Sequence, residues 1–338
     1  MRVYCVYEMK IQSASLALVV AMSFNGCGEK EHAEHGHDHA EKPLVVVPVP
    51  PYTGLVKRIA GDAVEIETLV GVGKDPHFFS PTPKQVARIN QAAVYFTVGM
   101  PFEADLIASL KTSAPNLKVI DLTKGIELLE FSCVHDHGDH EGHDHAAHED
   151  EKPVVEKPAA EELDSHADHE GHNHAPGESD PHIWLSPELL MNQVKIFHAV
   201  LEGVAGEDHS GAVHKNAEAL ETEITLLDYD LALKLKPLKG QSFYVYHGAF
   251  GYFANAYGLT QESIQLGGKS PEPKRLTEII AKAKSENVKM IFVQPQFDQT
   301  AAKAIAEAIG GTVLSVDPLK EDVLANLRSI ADSIVESK

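Results

Sequence analysis

The sequence predicts an α/β protein with two lobes, each built on a parallel sheet, around one long helix. Short apolar segments rich in Val, Ile, Tyr and Phe alternate along the chain with helical segments, which is the pattern of parallel sheets covered on both faces. Residues 207–236 carry one continuous helical stripe of apolar side chains. The chain has 338 residues, which is enough for two cores of ordinary size.

The charge of the chain is concentrated in one segment. The formal net charge is −21, and residues 131–180 alone supply fifteen acidic residues against two lysines. Such a charge excludes nucleic-acid binding as a function, because nucleic-acid binders need a basic face. The rest of the chain is only mildly acidic and has a normal globular composition, with 43% hydrophobic residues.

The N-terminus, residues 1–27, is predicted to be an export signal. Residues 11–24 form an apolar run that is too short to span a membrane. The following Asn-Gly-Cys-Gly resembles a lipoprotein signal, in which Cys27 is acylated. Met9 fits better than Met1 as the start of such a signal. The alternative is an ordinary cleaved signal that leaves Cys27 as a free thiol, and both interpretations export the protein.

The N-terminal lobe is predicted to span 43–206. Residues 28–42 before it are charged and His-rich, and this composition predicts a disordered tether. Apolar runs predict strands at 44–50, 64–70, 93–99 and 117–122. Between them, helices are predicted at 53–61, 82–90 and 102–110. Thr82 is expected to cap the second of these, with Pro83 in its first turn.

Residues 132–179 interrupt this alternation. They contain no apolar run longer than Val154-Val155 and are predicted to form a long loop insertion that is disordered without metal. Ten histidines lie in it: His135, His137, His140, His143, His145, His148, His166, His169, His172 and His174. Near pH 7 most imidazoles are neutral and able to bind metal. We therefore expect a low-affinity metal collector or sensor here; the alternative is a His-rich spacer.

The alternation resumes after the insertion. Ser186 and Pro187 predict a helix start, and the long helix at 207–236 is expected to link this lobe to a C-terminal lobe at 237–338. Strands are predicted at 242–247, 263–266, 290–295 and 312–316, and helices at 248–258, 276–286, 300–310 and 321–336.

Three histidines and one aspartate occupy places where α/β sheets bind ligands. His77 follows a strand, His182 lies in a loop just before a helix, His247 ends a strand, and Asp317 directly follows a strand. Ligands of open α/β sheets bind at the carboxyl ends of the strands. Three imidazoles and one carboxylate make a closed four-coordinate set that suits Zn²⁺.

Each of these residues also has a structural interpretation. A histidine at a strand end is often a surface or capping residue, and Asp317 can cap the last helix. Asp75 and Asp180, which precede Pro-His, can be turn residues. Three further histidines lie within predicted helices without a second ligand and are interpreted as structural or surface residues: His198, His209 and His214.

Four motifs in order resemble those of the ABC-transporter binding proteins for zinc and manganese: KDPHFFSPTPKQVARIN, SDPHIWLSPELL, YHGAFGYFANAYGL and SVDPL. The resemblance covers about residues 44–336 and implies two lobes joined by a rigid backbone helix, with the metal in the cleft between them. It implies His77, His182 and His247 as ligands, with Asp317 where many relatives have the fourth. One departure is Gln294, where relatives often carry an acid.

The resemblance also implies partners and a location. A permease and its ATPase would receive the metal from a monomeric protein in the periplasm or on the outer face of the cytoplasmic membrane. The His-rich insertion resembles the charged loop of the zinc-specific branch. Since imidazole suits zinc whereas manganese prefers oxygen, zinc is favoured over manganese as the cargo. A manganese or mixed-metal uptake protein remains the alternative.

Two other classes of protein are alternatives to a transport protein. A secreted zinc hydrolase would need an open metal position and a base, but neither a His-Glu-x-x-His motif nor a Gly-x-Ser-x-Gly motif is present. A surface lipoprotein for adhesion or zinc buffering would share the fold. The sequence therefore predicts a binding protein and not an enzyme.

Overall fold

The computed structural model describes residues 41–130, 179–265 and 271–338. The predicted signal with Cys27, nearly all of the tether, and the ten histidines of the insertion lie outside the described residues.

The first half of the described chain alternates strands and helices as predicted. Its elements are β1 (Leu44–Val47), α1 (Pro50–Ala60), β2 (Glu65–Thr68), α2 (Pro83–Ile89), β3 (Val94–Thr97), α3 (Pro101–Ser113) and β4 (Lys118–Asp121). Thr82 caps α2 as predicted, because its hydroxyl accepts the Gln85 N–H while the Gln85 side chain accepts the Thr82 N–H.

Two helices follow, and a second alternating half completes the fold. The elements are α4 (Pro187–Val204), α5 (Glu207–Leu235), β5 (Ser242–Val245), α6 (Gly251–Tyr257), β6 (Thr260–Ser263), α7 (Pro273–Ser285), β7 (Met290–Val293), α8 (Thr300–Ile309), β8 (Thr312–Ser315) and α9 (Val323–Glu336). The strand predicted at 263–266 therefore begins three residues earlier than expected. β6 pairs with β5 alone at the edge of its sheet, so polar side chains occupy it and an apolar run does not mark it.

The two sheets have the same topology. Their strand orders are β2-β1-β3-β4 and β6-β5-β7-β8, and all the neighbouring strands are parallel. The carboxyl ends of each sheet therefore lie at one edge, and the chain reverses its direction of winding beside β1 and β5. The predicted class of two parallel-sheet lobes is confirmed.

The long helix α5 lies in the core that joins the two lobes. Its 29 residues reach about 44 Å at 1.5 Å per residue. The predicted stripe is buried: Ala217, Leu220, Ile224, Leu227 and Leu231. One hydrophobic cluster runs from β1 and β3 through α4 and α5 to β5 and α9. Because a continuous core resists shear, the two lobes are held as one rigid frame around the cleft.

A glycine allows the lobes to approach each other closely. A Cβ at Gly54 in α1 would lie 2.1 Å from the carbonyl oxygen of Glu321, before α9. Only glycine fits at such a contact.

Among the described helices, none combines the length and apolar character needed to cross a bilayer.

Candidate metal centre

Two histidines of the site are placed by the same local structure. In both Asp75-Pro76-His77 and Asp180-Pro181-His182, the aspartate Oδ1 accepts the N–H of the histidine two positions later, at 2.9 Å. The proline between them has a fixed φ and no N–H that could compete. Asp75 and Asp180 are thus turn residues, as one interpretation of the sequence proposed, and each turn aims an imidazole into the cleft.

The third histidine is held by two glutamine side chains. His247 follows β5, and its backbone N–H donates to Gln294 Oε1 at 3.1 Å while its carbonyl accepts from Gln294 Nε2 at 2.7 Å. The ring Nδ1 lies 3.1 Å from Gln265 Oε1. Gln294 is 1% exposed. Its amide both donates and accepts, which a carboxylate at this position would not do.

The three imidazoles meet at a single point between the sheets. His77 Nε2 lies 3.4 Å from His182 Nε2 and 3.2 Å from His247 Nε2. The ligand atoms of all three lie within 4.8 Å of one another, and all three side chains are buried. Two nitrogens bound at 2.0–2.1 Å to a tetrahedral zinc lie about 3.3 Å apart. Two of the three separations are therefore close to that of ligands on one zinc ion, and the three imidazoles form a group that could hold a metal ion.

Asp180 also orients the ring of His182. Its Oδ1 lies 2.7 Å from His182 Nδ1, which places the proton on Nδ1 and leaves the Nε2 lone pair facing the cleft. Tyr252 Oη donates to the Asp180 carbonyl at 2.8 Å. Burial raises the pKa of Tyr252 to about 12, so the hydroxyl keeps its proton for this bond.

Aromatic rings and a small cavity complete the surroundings. The ring of Phe297 stacks on His247 with centroids 4.8 Å apart, and Trp184 packs edge-on against His182 at 5.2 Å. Trp184 Nε1 donates to the carbonyl of Pro318 and so connects the two lobes beside the site. The cavity that the imidazoles line has a volume of about 10 Å³, which is room for about one ion or water molecule.

The structure does not bring Asp317 into the group of three histidines. Its Oδ1 instead accepts the Leu319 N–H at 2.9 Å and the Gln296 side-chain amide at 2.8 Å. The residue follows a strand as predicted, but the turn at Pro318 makes the carboxylate a local cap for the backbone. The sequence analysis also offered Asp317 as a cap for the last helix. In the structure Asp317 caps its own turn, and Asp322 caps α9.

A larger cavity adjoins the histidine site on the side of the N-terminal sheet. It has a volume of about 800 Å³ and shares His77 as a lining residue, with Asp105 and Asp121 also on its wall. Exposed carboxylates in a cleft attract cations. Glu103 also lines this cavity, although it is only 1% exposed, and burial raises its pKa to about 7 against the hydrogen bonds that it accepts from the Val98 and Met100 N–H groups.

Some residues around the site were not found from the sequence. The contact of Asp180 with the His182 ring could have been predicted from the repeated Asp-Pro-His motif. The roles of Gln265 and Phe297 carry no local signal, because each depends on a contact with His247 across the sheet. Gln294 was noted only for the acid that it replaces, and its contact with the His247 backbone was not predicted.

Comparison with known proteins agrees with this geometry. The family described as "Zinc-uptake complex component A periplasmic" matches residues 45–337. The chain is 31% identical over 293 residues to the high-affinity zinc uptake system protein ZnuA of Brucella abortus (strain 2308), covering 82% of this chain and 84% of that protein.

Two further relatives extend the comparison. The zinc-binding lipoprotein AdcA of Streptococcus pneumoniae (strain TIGR4) is 27% identical over 96% of this chain, which spans 56% of that longer protein. The crystal structure of a zinc-bound ZnuA deletion mutant has a TM-score of 0.70 and 29% identity, covering 88% of this chain and 98% of that one. Because the family model matches residues 45–337, the chain belongs to the periplasmic zinc-uptake component A family of solute-binding proteins.

Proposed function

We propose that this protein binds Zn²⁺ outside the cytoplasm and delivers it to an ABC-type importer, with zinc as cargo and no reaction performed. The observation that carries the proposal is the meeting of three buried imidazoles from separate loops, with Nε2 atoms 3.2 and 3.4 Å apart. Zinc uptake by the Brucella relative and zinc in the related crystal structure support it.

The donor atoms favour zinc over manganese. Within the described ranges, the group able to hold a metal consists of His77, His182 and His247, all nitrogen donors. Imidazole suits zinc, copper and nickel, whereas manganese prefers carboxylate, carbonyl and water oxygens. The cleft therefore disfavours manganese by donor type, and the zinc-binding relatives support zinc among the ions that imidazole suits.

A water molecule is our proposal for the fourth ligand. Three protein ligands leave one tetrahedral position open, and the Asp317 Oδ1 already accepts two hydrogen bonds. Because the core joins both lobes without a break, we propose that zinc leaves through movement of the ligand loops and not through wide opening of the lobes.

The protein is proposed to act as a monomer at the cell surface or in the periplasm. Residues 1–27 would direct export, Cys27 would carry a lipid anchor, and 28–42 would tether the folded part. The related AdcA is a lipoprotein, which supports this placement. A membrane permease and its ATPase are the proposed partners, with α5 acting as the rigid connection between lobes 43–206 and 237–338.

The His-rich insertion is proposed to collect zinc for the cleft. Its two ends meet, since Glu130 and Ser179 form an antiparallel bridge, and Ser179 lies three residues before His182. Imidazoles on the insertion would thus be tethered close to the site. Deleting 133–175 should slow growth under zinc limitation; unchanged zinc uptake would remove the collector role.

The main test is a calorimetric titration with Zn²⁺ and with Mn²⁺. The protein should lack 1–42 and 133–175, a deletion whose ends the Glu130–Ser179 bridge already holds together. One tight zinc site with weak manganese binding is expected. The site should vanish in a variant with all three cleft histidines changed to alanine and persist in His209→Ala, the matched surface control. Equally tight manganese binding would reassign the cargo, and no stoichiometric site would overturn the proposal.

A further inference from the structure

Two further histidines meet at the surface between α4 and α5. His198 lies in α4 and His214 in α5, two helices joined by a short turn at Ala205 and Gly206. His214 Nδ1 is 3.2 Å from His198 Nε2, and the ring centroids are 5.1 Å apart. Local sequence pattern indicates no second ligand for either residue, because sixteen positions separate them.

The distance between the two nitrogens fits a shared metal ion. Two imidazole nitrogens on a tetrahedral zinc are about 3.3 Å apart, close to the observed separation. Without an ion, the same distance is a hydrogen bond from one ring to the other. Both arrangements use similar ring positions, so a cation would need little movement of the pair.

The helices hold the pair on a rigid frame. Phe197 and Leu201 of α4 and Val213 and Ala217 of α5 are buried beside it. The imidazoles themselves face outward, and the His214 side chain is 54% exposed. A cation from solvent can therefore reach the pair, while the backbone positions of its ligands stay fixed.

A carboxylate orients one of the rings. Glu218 Oε1 lies 3.4 Å from His214 Nε2, one helical turn further along α5. This contact favours the proton on Nε2 and leaves the Nδ1 lone pair for the neighbouring ring or for a metal. The arrangement is that of a metal-ligating histidine with a carboxylate behind it.

We propose that His198 Nε2 and His214 Nδ1 form a second, surface metal site for Zn²⁺, Cu²⁺ or Ni²⁺, with water as the remaining ligands. These ions accept imidazole nitrogen, whereas Mn²⁺ and Mg²⁺ prefer oxygen. The site shares no residue with the cleft and does not depend on the proposed transport function. With two protein ligands against three, it binds zinc more weakly than the cleft does.

The test is histidine modification by diethylpyrocarbonate on the full chain, read by peptide mass spectrometry with zinc or with chelator. Peptide resolution separates this site from the cleft and from the His-rich segments. Zinc should lower modification of His198 and His214 about fivefold or more, because a metal-bound nitrogen does not react. His209, exposed on the same helix, is the internal control and should be modified equally in both conditions.

Two variants make the result decisive. In His198→Gln, zinc should no longer protect His214, since one imidazole alone does not chelate. In Glu218→Gln, protection should need a higher zinc concentration. Both positions lie at the surface, so circular dichroism should show unchanged folding. Equal modification with and without zinc, protection that survives in His198→Gln, or equal protection by manganese would each overturn the proposal.

Discussion

Among the contacts around the metal centre, the hydrogen bonds of the Gln294 side-chain amide should have the clearest effect on stability when they are removed. It pairs with both backbone groups of His247, at 3.1 and 2.7 Å, in a buried position. Gln294→Leu keeps the side-chain size but leaves a buried donor and a buried acceptor without this partner. At about 1–3 kcal/mol for each of these two groups, the free energy of unfolding of the metal-free protein should fall by about 2–6 kcal/mol.

Zinc affinity should fall as well, because His247 loses the contact that fixes its backbone. Loss of a residue that orients a metal ligand typically weakens binding about 10–100-fold. Urea unfolding followed by circular dichroism measures the stability, and competition with a chromophoric chelator measures the affinity. Gln91→Leu, at an exposed turn position, controls for the substitution itself. A Gln294→Leu protein with the unfolding midpoint and zinc affinity of Gln91→Leu would refute the reasoning.

Gln294→Glu separates the two hydrogen bonds. The introduced carboxyl accepts from the His247 N–H in either protonation state, but donates to the His247 carbonyl only when protonated. Burial and the facing carbonyl should raise its pKa in the folded state above that in the unfolded state. The variant should therefore approach the parent in stability at low pH and lose stability as pH rises through the folded-state pKa. A pH-independent difference from the parent would contradict this assignment.

Three further results are expected. Asp180→Asn should weaken zinc binding about tenfold or more by removing the charge that orients His182, whereas Asp317→Asn should leave zinc affinity unchanged. Zinc affinity should fall from about pH 7.5 to about pH 5, because protons compete for the imidazole ligands. Glu103→Gln should gain stability relative to the parent as pH rises from 4.5, the ordinary pKa of this carboxyl, to about 7, its raised pKa in the folded protein. At about 1.4 kcal/mol per pKa unit, this gain amounts to about 3 kcal/mol.

The direction of the Glu103→Gln effect on stability follows from the difference in proton binding between the folded and unfolded states. The folded state holds the proton more tightly than the unfolded state, so the parent loses stability over that pH range and the amide variant does not. Urea unfolding at several pH values measures the difference in stability, and a constant difference between the two proteins would refute the raised pKa.

Zinc titration measures the other two predictions, on the aspartate variants and on the pH dependence of zinc affinity. Equal losses in both aspartate variants would argue for Asp317 as a ligand, and pH-independent affinity would argue against three histidine ligands.

The alternation of apolar and helical segments was sufficient to predict two parallel sheets and the long helix. Buried strands such as Val94–Thr97 and the stripe on α5 are marked by local composition, and Thr82 with Gln85 marks a helix start wherever it occurs. The edge strand β6 was displaced in the prediction because its polar residues resemble a turn. An edge strand is defined by its neighbour and not by its own hydrophobicity.

The sequence by itself determined the fold class and the three histidines of the cleft, since Asp-Pro-His turns and strand ends are local features that place a side chain at one edge of a sheet. Only the tertiary structure decided which groups stand beside them. It turned Asp317 toward its own turn, set Gln294 against His247 and brought His198 to His214. The contacts of Gln294 with His247, of Gln296 with Asp317 and of His198 with His214 join residues far apart in the chain. Their distances follow from how the sheets and helices pack, which local pattern does not encode.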